Sequence, residues 1–299
     1  MSKPFQIISD SSCDFTPEFA AEHDVKIVPF YVSFDKETYY KEAEELPVRE
    51  LYQRMVDDPE LFPKTSLPSI EDYINIFEPF VKEKMPVICI CLTSKFSGSF
   101  NAANNAMNIL LDDYPDAQIT VIDSTLATVV QGLLVAEAVR MRDNGISYED
   151  SIEHIERIKA TGKIIFTTAD ISYLKTGGRL GKLMSIANNA LKIKPMILLK
   201  EGELFPFGVA RSRKKSLDKV IDHAKKTLTE LDGSIDEYVI VTGYGYDKEE
   251  GEHFRDALLE NMKTYTNVEK LELFQIGATI GTHTGPHPIG MGFIKRYDA

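Results

Sequence analysis

Six consecutive apolar residues, Val87-Ile88-Cys89-Ile90-Cys91-Leu92, run straight into Thr93-Ser94-Lys95-Phe96-Ser97-Gly98-Ser99. An apolar run this short fits a strand buried on both faces, and such strands belong to parallel sheets covered by helices. The motif recurs along the first half. Phe5-Gln6-Ile7-Ile8-Ser9 ends at Asp10-Ser11-Ser12, and residues 119–122 end at Asp123-Ser124. Residues 25–34 form a further β-rich run. Helical spacing is read at 47–56, 70–84, 100–111 and 128–144, the last closed by Asn144-Gly145. Thr16-Pro17-Glu18 reads as an N-cap, a first-turn proline and an acidic first turn. Strand, loop and helix in repetition predict an α/β fold with a mostly parallel N-terminal sheet and right-handed crossovers.

The second half has a different rhythm. A helix is predicted over 148–159, strands over 163–168, 194–199, 203–208, 238–242, 268–276 and 291–294, and helices over 216–230 and 249–261. At roughly 100–200 residues per domain, 299 residues suggest two α/β domains, 1–160 and 161–299. The charged run at 41–46 (Lys-Glu-Ala-Glu-Glu-Leu) is read as a solvated face, and residues 64–69 and 281–287 as loops.

Charge narrows the function. Lys and Arg total 34 against 46 Asp and Glu, a net charge of −12. Such a chain would repel a phosphate backbone, which argues against nucleic-acid binding. No apolar stretch approaches membrane-span length, and Met1-Ser2-Lys3-Pro4 leads into a strand without a signal-peptide pattern. Three cysteines, Cys13, Cys89 and Cys91, do not make a disulfide framework and fit a reducing cytoplasm.

Several chemistries have no motif here. No Gly-x-Gly-x-x-Gly joins the first strand and helix. In Gly177-Gly178-Arg179-Leu180-Gly181-Lys182-Leu183 the glycines are too closely spaced for a phosphate-binding loop, and Leu183 replaces the required hydroxyl. Lys95 stands two residues before Ser97, so no nucleophile elbow exists. No metal-ligand spacing and no cofactor motif is found. What remains is a set of hydroxyls, Thr65, Ser97 and Ser99 with Ser94 nearby, where an open α/β sheet binds ligands. Gly98 lets backbone approach a ligand, and the following helix N-terminus favours an anion; simple helix capping by Ser97 and Ser99 is the plain alternative. His283 and His287 in the 281–287 loop are read as a donor to an anion or as structural residues. Two basic clusters stand out, Lys175, Arg179 and Lys182, and Arg211, Arg213, Lys214 and Lys215.

In order, Asp10-Ser11-Ser12-Cys13-Asp14, Lys64-Thr65-Ser66-Leu67-Pro68-Ser69, Phe96-Ser97-Gly98-Ser99-Phe100, Asp123-Ser124, Lys175-Thr176-Gly177-Gly178-Arg179, Arg211-Ser212-Arg213-Lys214-Lys215 and Gly281-Thr282-His283-Thr284-Gly285-Pro286 resemble the DegV family over nearly the whole chain. The resemblance implies a long-chain fatty acid held in a slot between two α/β domains. It also implies that the acyl carboxylate is presented to a separate ATP-binding kinase subunit, which makes an acyl phosphate for phospholipid synthesis. It places the carboxylate against Thr65, Ser97 and Gly98 with His283 nearby, Arg179 in the same polar network, and kinase docking near Arg211, Arg213 and Lys214. The chain departs from the family pattern at His287, where glycine is usual, and at Lys41-Glu42, where Asp-Gly is usual. Leu183-Met184-Ser185-Ile186 and residues 193–199 are candidate slot walls. Two other readings stand beside this one: a serine hydrolase or esterase using Ser97 and His283 with Asp10 or Asp123, and a binding module for another anionic metabolite.

Overall fold

The structure is a computed structural model that describes residues 3–184 and 193–299. The N-terminal part is built on four strands, β1 (Gln6–Asp10), β2 (Val25–Val28), β6 (Val87–Cys91) and β7 (Ile119–Asp123), in the order β2-β1-β6-β7 and all parallel. β1 and β6 are buried at every residue, β6 as its continuous apolar run requires and β1 with Gln6, Ser9 and Asp10 buried among its apolar residues. Helices α1 (Pro17–Glu22), α3 (Ile70–Lys82) and α4 (Ser99–Asp113) belong to this part. α3 and α4 close one face over Ile8, Cys89 and Cys91. Ser69 opens α3 with a capping box completed by Asp72.

A small antiparallel sheet, β4-β3-β5, joins β3 (Tyr31–Ser33), β4 (Tyr40–Lys41) and β5 (Lys64–Ser66), with α2 (Val48–Asp57) between β4 and β5. Residue 65, expected in a loop, is thus held in a ladder opposite Val32. The charged run at 41–46 is also not uniformly solvated: Glu42 is 3% exposed and Leu46 is 2% exposed. Their partners come from distant segments, which composition does not reveal.

The second large sheet has six strands, β8 (Lys163–Thr167), β9 (Lys194–Lys200), β10 (Glu203–Ala210), β11 (Tyr238–Tyr244), β12 (Glu272–Gln275) and β13 (Ile289–Lys295). Their order is β10-β9-β8-β13-β11-β12, with only β11 and β12 parallel. α8 (Arg213–Thr229) and α9 (Lys248–Met262) cover its outer face. Its inner face meets α5 (Thr128–Asp143), while α6 (Tyr148–Lys159) packs beside α5. α5 is apolar on nearly every side because it lies between both sheets, and one core runs from Phe5 and Ile7 through Val130, Leu134 and Ala138 to Ile164 and Ile294.

Residues 281–287 are not all loop. Ala278–Thr284 forms α10, after the short α7 (Ser172–Thr176) earlier in the chain. Glycine and threonines hide this helix from a propensity reading, but tertiary packing fixes it. A Cβ on Gly281 would sit 2.6 Å from the Tyr52 hydroxyl oxygen, and that hydroxyl donates to the Ile276 carbonyl at 2.9 Å. The expected strand over 268–276 shortens to Glu272–Gln275.

Candidate functional site

A cavity of ≈ 1150 Å³ of empty space, part of it open to solvent, lies between the inner face of the six-stranded sheet and the ends of β5, β6 and α5. Its walls are mostly apolar, with Phe30, Leu92 and Phe96 from one side and Ile164, Phe166, Leu199 and Leu204 from the other. Polar groups gather at the rim. Ser66 is exposed, Leu67 is 39% exposed, and Thr65 and Ser97 are half-buried. A ligand with one polar end and a long apolar body suits such a slot.

Four residues separated widely in sequence make the polar end. Thr65 Oγ1 and His283 Nε2 lie 2.9 Å apart in a hydrogen bond, and both line the cavity. Burial, then the nearby Arg179 and Lys64 charges, push His283 down to about 3. The imidazole is therefore neutral near pH 7, with one ring nitrogen bearing a proton. Its Nδ1 has no partner and lies against Gly177, where an added Cβ would fall 2.2 Å from it. Gly177 is thus a glycine because His283 needs the space; its place in Thr176-Gly177-Gly178 was the only sequence signal.

Ser97 Oγ accepts from the Ser99 N–H at 3.1 Å, which leaves the Ser97 O–H free to donate into the cavity. Gly98 is the N-cap residue of α4, and a Cβ there would only touch Leu67 at 3.4 Å. Arg179 donates from Nε to the Phe96 carbonyl at 3.0 Å and from Nη1 to the Gly177 carbonyl at 2.5 Å. No carboxylate pairs with it among the described residues, and burial lowers its pKa. Its charge is thus available to an incoming anion. Thr65 and His283 share one hydrogen bond, so with Nε2–H donating to Oγ1 the pair offers an anion one donor, the Thr65 hydroxyl; with the Ser97 hydroxyl, a helix N-terminus and an unpaired guanidinium it can hold a carboxylate without protonating it.

Ser99 does not join this set. It is fully buried, donates to Asp10 Oδ2 at 2.7 Å and shares a 2.6 Å hydrogen bond with Tyr73. Asp10, also fully buried, accepts further from Ser12, Gln131 and the Leu92 N–H. That network ties β1, β6, α4 and α5 together. The hydrolase arrangement is not assembled. Ser97 makes no hydrogen bond to His283, Asp10 is committed to the core, and Asp123 accepts from the Ser94 and Thr125 N–H groups. With Nδ1 of His283 unpartnered, no carboxylate orients the ring as a catalytic base requires.

The remaining candidates separate. Leu183 is buried away from the cavity lining, Met184 is 64% exposed, and Ser185 and Ile186 lie outside the described residues. Of residues 193–199, Leu199 lines the cavity. His287 stands apart, edge-on to Tyr246, beside a smaller hollow with Asp170 and Tyr173. No cluster of three potential metal ligands occurs among the described residues. Arg213 is held by Glu250 through two 2.8 Å hydrogen bonds, while Arg211 and Lys214 are exposed. Sequence reasoning missed Thr128 and Thr279, which line the cavity and donate to the half-buried Asp14 and the buried Glu42.

A family model described as "Uncharacterised protein, DegV family" matches residues 4–296. A DegV domain-containing protein of Caldanaerobacter subterraneus is 31% identical over 97% of this chain and 98% of its own. Among solved structures, a stearic acid-binding protein from Eubacterium ventriosum is 44% identical, with a TM-score of 0.92 over 98% of this chain and 99% of that one. A DegV family protein from Thermus thermophilus, described for fatty acid binding, is 26% identical with a TM-score of 0.86 over 98% and 99% of the two chains.

Proposed function

Since the chain belongs to the DegV family, we propose that it binds a long-chain fatty acid, with the carboxylate at Thr65, Ser97, Gly98 and His283 and the tail in the apolar slot. The observation that carries this reading is the convergence of Thr65, His283, Ser97 and Arg179 on a mostly apolar cavity. Arg179 supplies the nearby charge. Affinity comes from the tail: at about 0.8 kcal/mol per buried CH₂, some 15 methylenes contribute roughly 12 kcal/mol before association costs. The head group sets orientation.

The same reading extends to presentation. A carboxylate at the rim, beside half-buried hydroxyls and the exposed Leu67, is within reach of a second protein. A separate ATP-dependent kinase subunit that converts the bound acid to an acyl phosphate fits this exposure, and the protein itself supplies no catalysis. Arg211 and Lys214, both exposed, are the docking residues favoured here; Arg213 contributes by fixing the start of α8 against Glu250. No helix among the described residues is long and apolar enough to cross a membrane. The buried, unpaired cysteines fit a cytoplasmic setting.

Mass spectrometry under native conditions tests the binding claim. Protein purified from a bacterial host is expected to carry a fatty acid that solvent extraction removes. Protein that emerges empty and fails to take up palmitate or oleate refutes it. Transfer of phosphate from ATP to the bound acid, on addition of a fatty acid kinase subunit, tests presentation separately.

A further inference from the structure

Three glycines occupy the inner face of the six-stranded sheet, Gly290 and Gly292 on β13 and Gly243 on β11. Register places Gly290 between Phe166 and Gly243, and Gly292 between Ile164 and Val241. None of the three has the positive φ that demands glycine. A glycine inside a strand weakens it, and commonly marks close approach by another backbone or by a ligand.

Two of the three are explained by the fold. A Cβ on Gly292 would fall 2.2 Å from Val130 Cγ2 of α5, so that glycine lets the helix settle on the sheet. A Cβ on Gly290 would fall 2.4 Å from Phe166 Cβ and 2.5 Å from the Ile165 carbonyl oxygen of β8. Gly243 is different. A Cβ there would meet only Ile276 at 3.4 Å and Val129 at 3.8 Å, which is ordinary contact. The fold tolerates a side chain at 243, and the space it would enter belongs to the cavity that Gly243, Ile276 and Val129 line.

Position within the slot completes the argument. The rim is at Ser66 and Leu67, on and just beyond β5, whereas Gly243 is buried on β11 among buried neighbours. We propose that Gly243 sets the depth of the slot: its missing side chain admits the far end of the acyl chain between Ile276 and Val129. A side chain at 243 shortens the chain the protein accepts. This rests on the fatty-acid reading above, and it assigns chain-length selection to one residue.

The test compares wild type, Gly243→Ala, Gly243→Leu and Ile276→Ala as full chains. The readouts are the extracted fatty-acid profile and displacement binding of the saturated C14, C16 and C18 acids. Each methylene kept out of the slot costs about fourfold in affinity. Gly243→Leu is expected to raise the C14:C18 preference by about tenfold or more, Gly243→Ala to move it less in the same direction, and Ile276→Ala to move it towards longer chains. Thermal melting checks folding, and Gly243→Ala keeps the test open if the leucine variant is unstable. Folded Gly243 variants with the wild-type chain-length ratio overturn the proposal. If wild type and variants alike bind no fatty acid of any length, the binding reading fails instead.

Discussion

Glu42 offers the sharpest test of how the slot's polar lining is held. It is 3% exposed. Oε1 accepts from the Thr279 N–H at 2.9 Å, and Oε2 accepts from the Thr279 hydroxyl at 2.6 Å and from the Ser11 hydroxyl. Those bonds join the turn after β1 to the start of α10, which carries His283. Removing the carboxylate by Glu42→Ala strands a buried N–H and two hydroxyls at about 1–3 kcal/mol for each left unsatisfied. Rotating hydroxyls recover part of that, so a loss of about 3 kcal/mol is expected. Glu42→Gln keeps the volume and an acceptor and should lose no more than about 1 kcal/mol. The pH dependence adds a second readout. Burial raises the Glu42 pKa above its usual 4.5 and holds Asp14 well above 3.8, with Glu42's charge raising Asp14 further. Facing groups are the hydroxyls of Ser11, Thr128 and Thr279, backbone N–H groups at the start of α10, and the Tyr52 phenol. The native state thus holds protons that the unfolded chain has released. Its stability from this pair is full below the usual values and falls as pH rises through the raised ones. His283, held neutral down to about 3, gives the opposite slope below its usual 6.5. The informative quantity is therefore the difference between wild type and variant. Urea midpoints from about pH 5 to about pH 8 should show Glu42→Gln gaining on wild type as pH rises. A difference flat with pH, or a Glu42→Ala variant as stable as wild type, refutes the reasoning.

Other outcomes follow from the same geometry. Ser97→Ala and Thr65→Ala each remove one hydrogen bond to a carboxylate, worth about 1.5–3 kcal/mol. They should weaken fatty-acid binding by roughly tenfold to a hundredfold in a displacement titration, with the fold intact; Thr65→Ala alone should also lower the melting temperature, because His283 Nε2 loses its partner. Arg179→Met should abolish most of the salt dependence of that binding while leaving the tail's contribution in place, read as affinity against ionic strength. Asp10→Ala removes four hydrogen bonds, stranding the buried Leu92 N–H and leaving Ser12, Ser99 and Gln131 with only their other partners, and should destabilise the N-terminal sheet in chemical denaturation. Wild-type protein should hydrolyse no p-nitrophenyl ester above background; turnover abolished by Ser97→Ala would reverse the reading of Ser97 and His283.

Much of the fold was legible because its strongest signals are local. Buried parallel strands declare themselves as apolar runs, and residues 87–92 needed no partner to be read. Thr65 and Ser97 stood out as strand-end hydroxyls, His283 as an unusual loop residue and Arg179 in a basic cluster, before the motif resemblance tied them together; all four line one cavity. What escaped the sequence depends on distant partners. Glu42 sits in a run that composition marks as solvated, yet Ser11 and Thr279 bury it. α10 contains residues of poor helix propensity, yet Gly281 accommodates Tyr52. Gly177 and Gly243 look alike in sequence. Only coordinates show that one makes room for an imidazole and the other borders empty space.

The chemistry of the rim bears on how the proposed head group is held. A guanidinium that met a carboxylate with two parallel bonds would occupy both oxygens. Here Nε and Nη1 of Arg179 are already donating to the Phe96 and Gly177 carbonyls, which blocks the side-on pair through Nε and leaves N–H groups on Nη1 and Nη2 for an anion. His283 is neutral, and with its Nε2 engaged by Thr65 it positions that hydroxyl. Thr65 and Ser97 are single donors. On the proposed reading, Thr65 and Ser97 each give the carboxylate one bond and Arg179 supplies the charge beside them. A slot whose affinity resides in the buried tail can tolerate that incomplete grip. It needs a depth that matches the tail, the role proposed above for Gly243.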